Sequence, residues 1–254
     1  YAANWMGDNM SRWDHLWLSI PMGSGLSISG QSFVGADIGG FAEDTNPELY
    51  TRWIQCGSLT PFARVHSVIN TIDQYVWSFG EEVLGYAREA LKQRYRLLPY
   101  IYSAFVQASQ TGAPIQRPLI FDFQDDANLR NLDDQYLFGR DLLVAPIVAA
   151  GQYSREVYLP RGEWFDWHDG NLVTSAGGWS GATRFYYYST CLASSAWCDT
   201  PTGGTARGFV TLLHSTPLQA TYLTVRDDGR GLPKDFEPRK GGSLGMQLVV
   251  TLAH

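Results

Sequence analysis

Three stretches of this 254-residue chain set ionisable side chains among aromatic ones. Asp8 stands in Gly7-Asp8-Asn9, with Trp5 and Trp13 on either side. Asp37 ends the run Ser32-Phe33-Val34-Gly35-Ala36 and precedes Gly39-Gly40-Phe41. Arg64 and His66 follow Leu59-Thr60-Pro61-Phe62-Ala63. Carboxylates and imidazole bond hydroxyl groups, and aromatic faces cover the apolar faces of a sugar ring. With Phe41 and Trp53 nearby in sequence, these residues suit a neutral polyhydroxylated ligand. Each stretch also has a plainer reading. Gly-Asp-Asn is a common turn, Asp37 can cap a helix, and His66 can be a satisfied core residue.

The elements that would position these groups follow from pattern. Ser32–Asp37 reads as a buried strand ending in an acidic residue, and Leu59–Arg64 as another ending at His66. Between them a helix is predicted from Pro47 to Cys56, with Pro in its first turn. A long helical pattern runs from Gly80 to Gln110. It carries Val83, Ala87, Ala90, Leu91, Leu98, Tyr102 and Phe105 near one stripe, and Pro99 predicts a kink. Strands alternating with helices indicate parallel βαβ units, whose strand ends form the reaction face of an α/β barrel. From about residue 113 the character changes. Residues 135–139, 142–146, 155–160 and 163–167 read as short strands broken by Gly and Pro, at the spacing of a β-sandwich. Residues 179–217 show no clear period, and strand character returns only at Tyr222–Val225.

Composition narrows the function class. Hydrophobic residues make up 44% and charged ones 17%, as in a globular chain. The net charge of −6 argues against a nucleic-acid or anionic-membrane partner. No run of 18 apolar residues indicates a membrane span. Cys56, Cys191 and Cys198 lack metal-ligand spacing, so no zinc site, disulfide framework, other metal or cofactor is predicted. The chain starts with Tyr on a motif, so a missing leader leaves both cytoplasmic and secreted locations open, and oligomeric state is equally open.

The motifs, in order, resemble those of the family-31 glycoside hydrolases, the α-glucosidase and α-xylosidase family. Trp5-Met6-Gly7-Asp8-Asn9, Gly35-Ala36-Asp37-Ile38-Gly39-Gly40-Phe41, Glu48-Leu49-Tyr50-Thr51-Arg52-Trp53 and Pro61-Phe62-Ala63-Arg64-Val65-His66 carry the likeness. Arg94–Tyr100, Arg117-Pro118-Leu119 and Val157–Trp164 continue it. It covers about residues 1–178. The fold it implies is α/β: the C-terminal portion of a (β/α)8 barrel over 1–112, followed by a partial β-sandwich-type domain over 113–178.

By that resemblance Asp8 is the general acid/base, and Trp5, Asp37, Phe41, Arg64 and His66 surround the sugar. The substrate implied is an α-glucoside or α-linked oligosaccharide, hydrolysed with retention: a carboxylate attacks the anomeric carbon, while Asp8 protonates the leaving oxygen and later deprotonates water. The flanking indoles are expected to dry the setting of Asp8, and Gly7 to permit close approach. The family's nucleophile is an Asp on an earlier strand, and none stands before Tyr1. The isolated polypeptide is therefore expected to be inactive, which leaves a noncatalytic carbohydrate-binding fragment as an alternative. Asp37 is the one substitute nucleophile to weigh. A further departure is Tyr75-Val76-Trp77, where the family usually carries Glu-Pro before the Trp.

A second resemblance lies at the far end. Val225–Pro233 and Gly242–Val249 resemble the glycine boxes of sensor histidine-kinase ATP-binding domains, over about 218–254. It implies nucleotide contacts from Asp227, Gly229, Gly231 and Gly245, and a nucleotide-binding alternative confined to the tail. The two families do not normally share a chain. A join is therefore expected, with 179–217 an irregular linker and no core shared across it.

Overall fold

The computed structural model describes residues 2–167, 171–179, 185–186 and 211–214. Its first part is built on three neighbouring parallel strands. Asn4–Trp5 pairs with Val34–Gly35, and Asp37–Ile38, continuing the same run, pairs with Arg64–Val65. Carbonyls of the central run point to opposite edges: Phe33 and Gly35 accept from Asn4 and Met6, whereas Val34 accepts from Phe62. Four helices follow these strands: α1 (Trp13–Ile28), α2 (Pro47–Gly57), α3 (Gly80–Arg96) and α4 (Leu98–Thr111). Strand, helix and strand thus repeat with parallel pairing, as the strand ends in Asp37 and Arg64 imply.

Local chemistry explains α2. The Asn46 side chain accepts from the Leu49 amide, and Pro47 takes the first turn, where its missing N–H costs nothing. Leu49 through Gly57 are all buried, so this helix is a core element. The long pattern 80–110 breaks instead of kinking. Leu97 ends α3 and starts α4, and Pro99 in the first turn of α4 cannot continue a ladder to Tyr95. Helix α1 has no counterpart in the sequence prediction. Pro21, Gly23 and Gly25 lower its propensity, so tertiary packing must hold it. Its small residues let the strand Gln116–Arg117 come close. A Cβ at Gly23 would meet Gln116 Nε2 at 2.7 Å, the Gln116 amide donates to the Ile20 carbonyl at 3.1 Å, and the Ile115 amide donates to Ser27 Oγ at 3.1 Å.

The second part is one six-stranded antiparallel sheet. Its order is Leu172–Ser175, Gly162–Asp166, Thr211–His214, Leu142–Val144, Tyr136–Phe138 and Gln116–Arg117. The pleat divides its side chains between two cores. Leu137, Leu143 and Trp164 of this sheet pack with Val157 and Leu159, where Tyr158–Leu159 pairs with Gly178–Trp179 as a second β layer. Tyr136, Phe138, Leu142 and Val144 point the other way, onto Ile20, Leu59, Ala90, Leu97 and Ile101 of the barrel helices and loops. Both faces of the central strands are therefore covered. Polar ties cross the same boundary: Tyr136 donates to the Leu59 carbonyl at 3.0 Å, Arg52 to the Gln152 carbonyl at 3.0 Å, and the Gly151 amide to Glu48 at 2.8 Å.

The expected irregular stretch 179–217 is corrected by this sheet. Thr211–His214 lies inside it, inserted between Leu142–Val144 and Gly162–Asp166, and Phe185–Tyr186 pairs with Ser154–Arg155. A strand that closes a gap through long-range pairing needs no periodicity of its own. The join expected at about residue 179 fails with it. The expected strand at 222–225, both predicted glycine boxes, Cys191 and Cys198 lie outside the described residues. Among the described residues no helix is long and apolar enough to cross a membrane, and no group of three or more His, Cys, Asp or Glu could hold a metal ion.

Candidate active site

The three parallel strands end on one face, and the singled-out residues stand there. Asp8 lies three residues past Asn4–Trp5, Asp37 in the central run, and Arg64 and His66 at the end of the third strand. Gly7 adopts φ +86°, which only glycine takes without strain, and this turns the chain out of the strand just before Asp8. A Cβ there would meet nothing within 4 Å, so the glycine is required for its backbone angle and not for the expected close approach. The Asp8 side chain is exposed, and among the described residues its carboxylate has no hydrogen-bond or ion-pair partner.

Asp37 is the opposite case. It is fully buried, and Arg64 Nε donates to its Oδ1 at 2.6 Å. Its other oxygen is also shut from solvent and has no partner among the described residues. Asp37 was expected among the residues around the sugar, but it has no accessible surface, and the side chain that bonds it, Arg64, is partly exposed. The same burial removes it as a substitute nucleophile. Arg64 is a little over one-third exposed, and its guanidinium lies 5.8 Å from the Trp5 ring and 5.6 Å from the Phe62 ring. A cation over aromatic faces with one edge held by a carboxylate is pre-organised, and its remaining N–H groups make no hydrogen bond among the described residues. Phe41 and His66 form the second couple, stacked at 5.4 Å with 30° between their planes.

The structure therefore brings together Trp5, Asp37 and Arg64 in one group and Phe41 and His66 in another, with Asp8 on the adjoining loop. It does not bring in Trp53, which is buried in the α2 core. Trp13 packs against that same core. The expected drying of Asp8 by its neighbouring indoles is corrected accordingly: Trp5 faces Arg64, Trp13 faces inward, and Asp8 stays exposed. Tyr75 and Trp77, at the departure from the family pattern, stack in parallel at 5.1 Å and are exposed.

The sequence reading missed the residues that hold the turn between Asp37 and Ala42. Asn9 Nδ2 donates to the Asp37 carbonyl at 2.9 Å, and Asn9 Oδ1 accepts from the Phe41 amide at 2.9 Å. Ser11 Oγ donates to the Gly39 carbonyl at 2.7 Å, and buried Gln74 donates to the Gly40 carbonyl at 2.9 Å. Gly39 and Gly40 adopt φ +90° and +94°, and a Cβ on Gly40 would lie 2.5 Å from the Ser11 nitrogen. The glycine pair marks this crowding in the sequence. The three gripping side chains carry no mark, because their partners are backbone atoms far along the chain.

Comparison with known proteins shows the family. Residues 1–104 match the family model for the glycosyl hydrolases family 31 TIM-barrel domain, and residues 112–227 match that for the family 31 C-terminal domain. The chain is 44% identical over 173 residues to α-glucosidase 2 of Bacillus thermoamyloliquefaciens, covering 68% of this chain and 22% of that protein. It resembles the cycloalternan-forming enzyme of Listeria monocytogenes in complex with a pentasaccharide substrate, with TM-score 0.71 and 30% identity, covering 84% of this chain and 19% of the other. A family-31 dextranase of Flavobacterium johnsoniae, in a variant complexed with isomaltotriose, gives TM-score 0.70 and 29% identity, covering 84% and 25%. The chain thus spans about a fifth of the length of the curated relatives it matches, such as 22% of the Bacillus protein. The predicted histidine-kinase tail is not borne out: the hydrolase C-terminal domain match runs through Asp227, the residue that reading needs for adenine.

Proposed function

The chain belongs to glycosyl hydrolase family 31, and from that premise we propose that it supplies the acid/base and part of the sugar-binding wall of a retaining α-glucosidase. The observation that carries the reading is the exposed Asp8 carboxylate, without a partner among the described residues, on a strand-end loop that Asn9 bonds to Asp37 and Phe41. An acid/base must give and take a proton at one oxygen, so it must stay out of the ion pairs that hold the rest of the site. Asp37, paired and enclosed, is free for no such exchange.

In the proposed reaction the sugar rests against Trp5 and Phe41, while Arg64 and His66 bond its hydroxyls. A carboxylate attacks the anomeric carbon as Asp8 delivers its proton to the departing oxygen. Asp8 then takes a proton from the water that opens the glycosyl-enzyme. The two carboxyl groups of such a pair stand about 5–5.5 Å apart, a role that enclosed Asp37 cannot fill. On this reading the attacking group comes from a barrel strand outside the described residues. The substrate class is an α-glucoside or α-linked oligosaccharide.

The test uses the longest natural polypeptide that carries this chain. Asp8→Ala should retain glycosylation by p-nitrophenyl α-glucoside, whose leaving group needs little protonation, and lose turnover of maltose. Added azide should restore turnover by attacking the glycosyl-enzyme without a base, giving the α-glucosyl azide. Equal loss on both substrates without azide rescue returns Asp8 to an ordinary turn residue.

A further inference from the structure

We infer that Asn9 is a positioning residue, one that sets the Asp8 carboxylate against the sugar-facing turn at Asp37–Ala42; the inference rests on the function proposed above. The Asp8 carboxylate has no hydrogen bond or ion pair among the described residues, so the backbone on either side sets its direction. On one side is Gly7, at φ +86°. On the other is Asn9, whose side-chain amide and backbone carbonyl are committed to the turn after the neighbouring strand. Its Nδ2 donates to the Asp37 carbonyl, its Oδ1 accepts from the Phe41 amide, and its own carbonyl accepts from the Phe41 and Ala42 amides, each at 2.9 Å.

The primary amide suits this place. It must donate to a carbonyl and accept from an N–H at once, and no other side chain of that length carries both groups. A flipped amide would set donor against donor and acceptor against acceptor, so the network fixes its orientation. The turn that Asn9 grips bears both sugar-facing couples: Asp37 with Arg64 at one end, and Phe41 with His66 at the other. Gln74 and the Val68 amide, both outside the Asp8 loop, take the Gly40 and Phe41 carbonyls of that turn, so it has little freedom to follow a displaced loop. Moving Asn9 therefore changes the spacing between the acid and the sugar wall rather than shifting both together. Misplacing a catalytic group by about 1 Å can cost on the order of 100-fold in rate.

The experiment measures kcat/KM on maltose and on p-nitrophenyl α-glucoside in the longest natural polypeptide carrying the chain. Proton delivery matters more for the poorer leaving group. Asn9→Ala is expected to lower the maltose value about 100-fold and the aryl glucoside value about 10-fold or less. Asn9→Asp keeps the acceptor for Phe41 but sets a carboxylate against the Asp37 carbonyl, and it should show the same preference. The ratio of the two values is independent of how much enzyme is folded, so a merely structural role leaves it unchanged. Equal losses on both substrates in every foldable Asn9 variant, or no loss, overturn the inference. Asp8→Ala measured alongside separates the two failures. If it shows no leaving-group preference, the proposed function falls; if it does and the Asn9 variants do not, only the role of Asn9 falls.

Discussion

Arg64 holds Asp37 through a 2.6 Å bond to a carboxylate that has no exposed surface, while the guanidinium itself stays partly open to solvent. A buried carboxylate depends on the cation that bonds it, and the cation takes its orientation in return. A double-mutant cycle should reveal this coupling. Asp37→Asn and Arg64→Gln are each expected to lower stability by about 1.5–3 kcal/mol, the range for a hydrogen bond to a charged group. The double variant should lose clearly less than the sum, read as urea midpoints. Additive losses would show that the pair is two independent contacts.

The turn at Gly39-Gly40 should tolerate no side chain. Gly40 stands at φ +94° with Ser11 backbone atoms 2.5–2.6 Å from where a Cβ would be. Strained backbone and overpacking each cost about 1–3 kcal/mol. Gly40→Ala should therefore destabilise the protein by about 3 kcal/mol. Gly85→Ala, in helix α3 with nothing within 4 Å of its Cβ, should be neutral or mildly stabilising. Calorimetric midpoints of the two variants check the contrast.

Alkaline pH should weaken the fold through Cys56. Burial pushes its thiol from 9.0 up to about 12. The folded state thus favours the protonated thiol, whose stabilising effect is fully present below pH 9 and is lost as pH rises toward 12. Between pH 8 and pH 10.5 the wild type should lose about 2 kcal/mol more than Cys56→Ala, at 1.36 kcal/mol per pKa unit. Parallel urea curves for the two proteins at both pH values would refute this.

The strand Thr211–His214 should be needed for solubility. It fills the gap between Leu142–Val144 and Gly162–Asp166. A chain ending at residue 210 leaves two facing sheet edges unpaired, and such edges recruit other strands. It should aggregate at concentrations where a chain ending at residue 217 stays dispersed, as followed by light scattering. Equal behaviour would mean that the inserted strand adds nothing to the sheet.

Local pattern was enough for the parallel strand-helix order, for α2 with its Asn46 and Pro47 start, and for the placing of Asp8, Asp37, Arg64 and His66 at strand ends. Those features depend on neighbours within a few residues, where periodicity, capping and proline geometry act. Other features were decided by contacts between residues distant in sequence. Helix α1 holds despite Pro21 because the strand Gln116–Arg117 fits its small-residue face. The strand Thr211–His214 exists because a sheet far earlier in the chain leaves it a place. Trp53 goes to the core, Asp37 goes beneath Arg64, and Asn9, Ser11 and Gln74 close on backbone carbonyls some thirty residues away. Burial and hydrogen-bond satisfaction are properties of the assembled molecule, and a side chain's part in them is not set until its distant partners arrive.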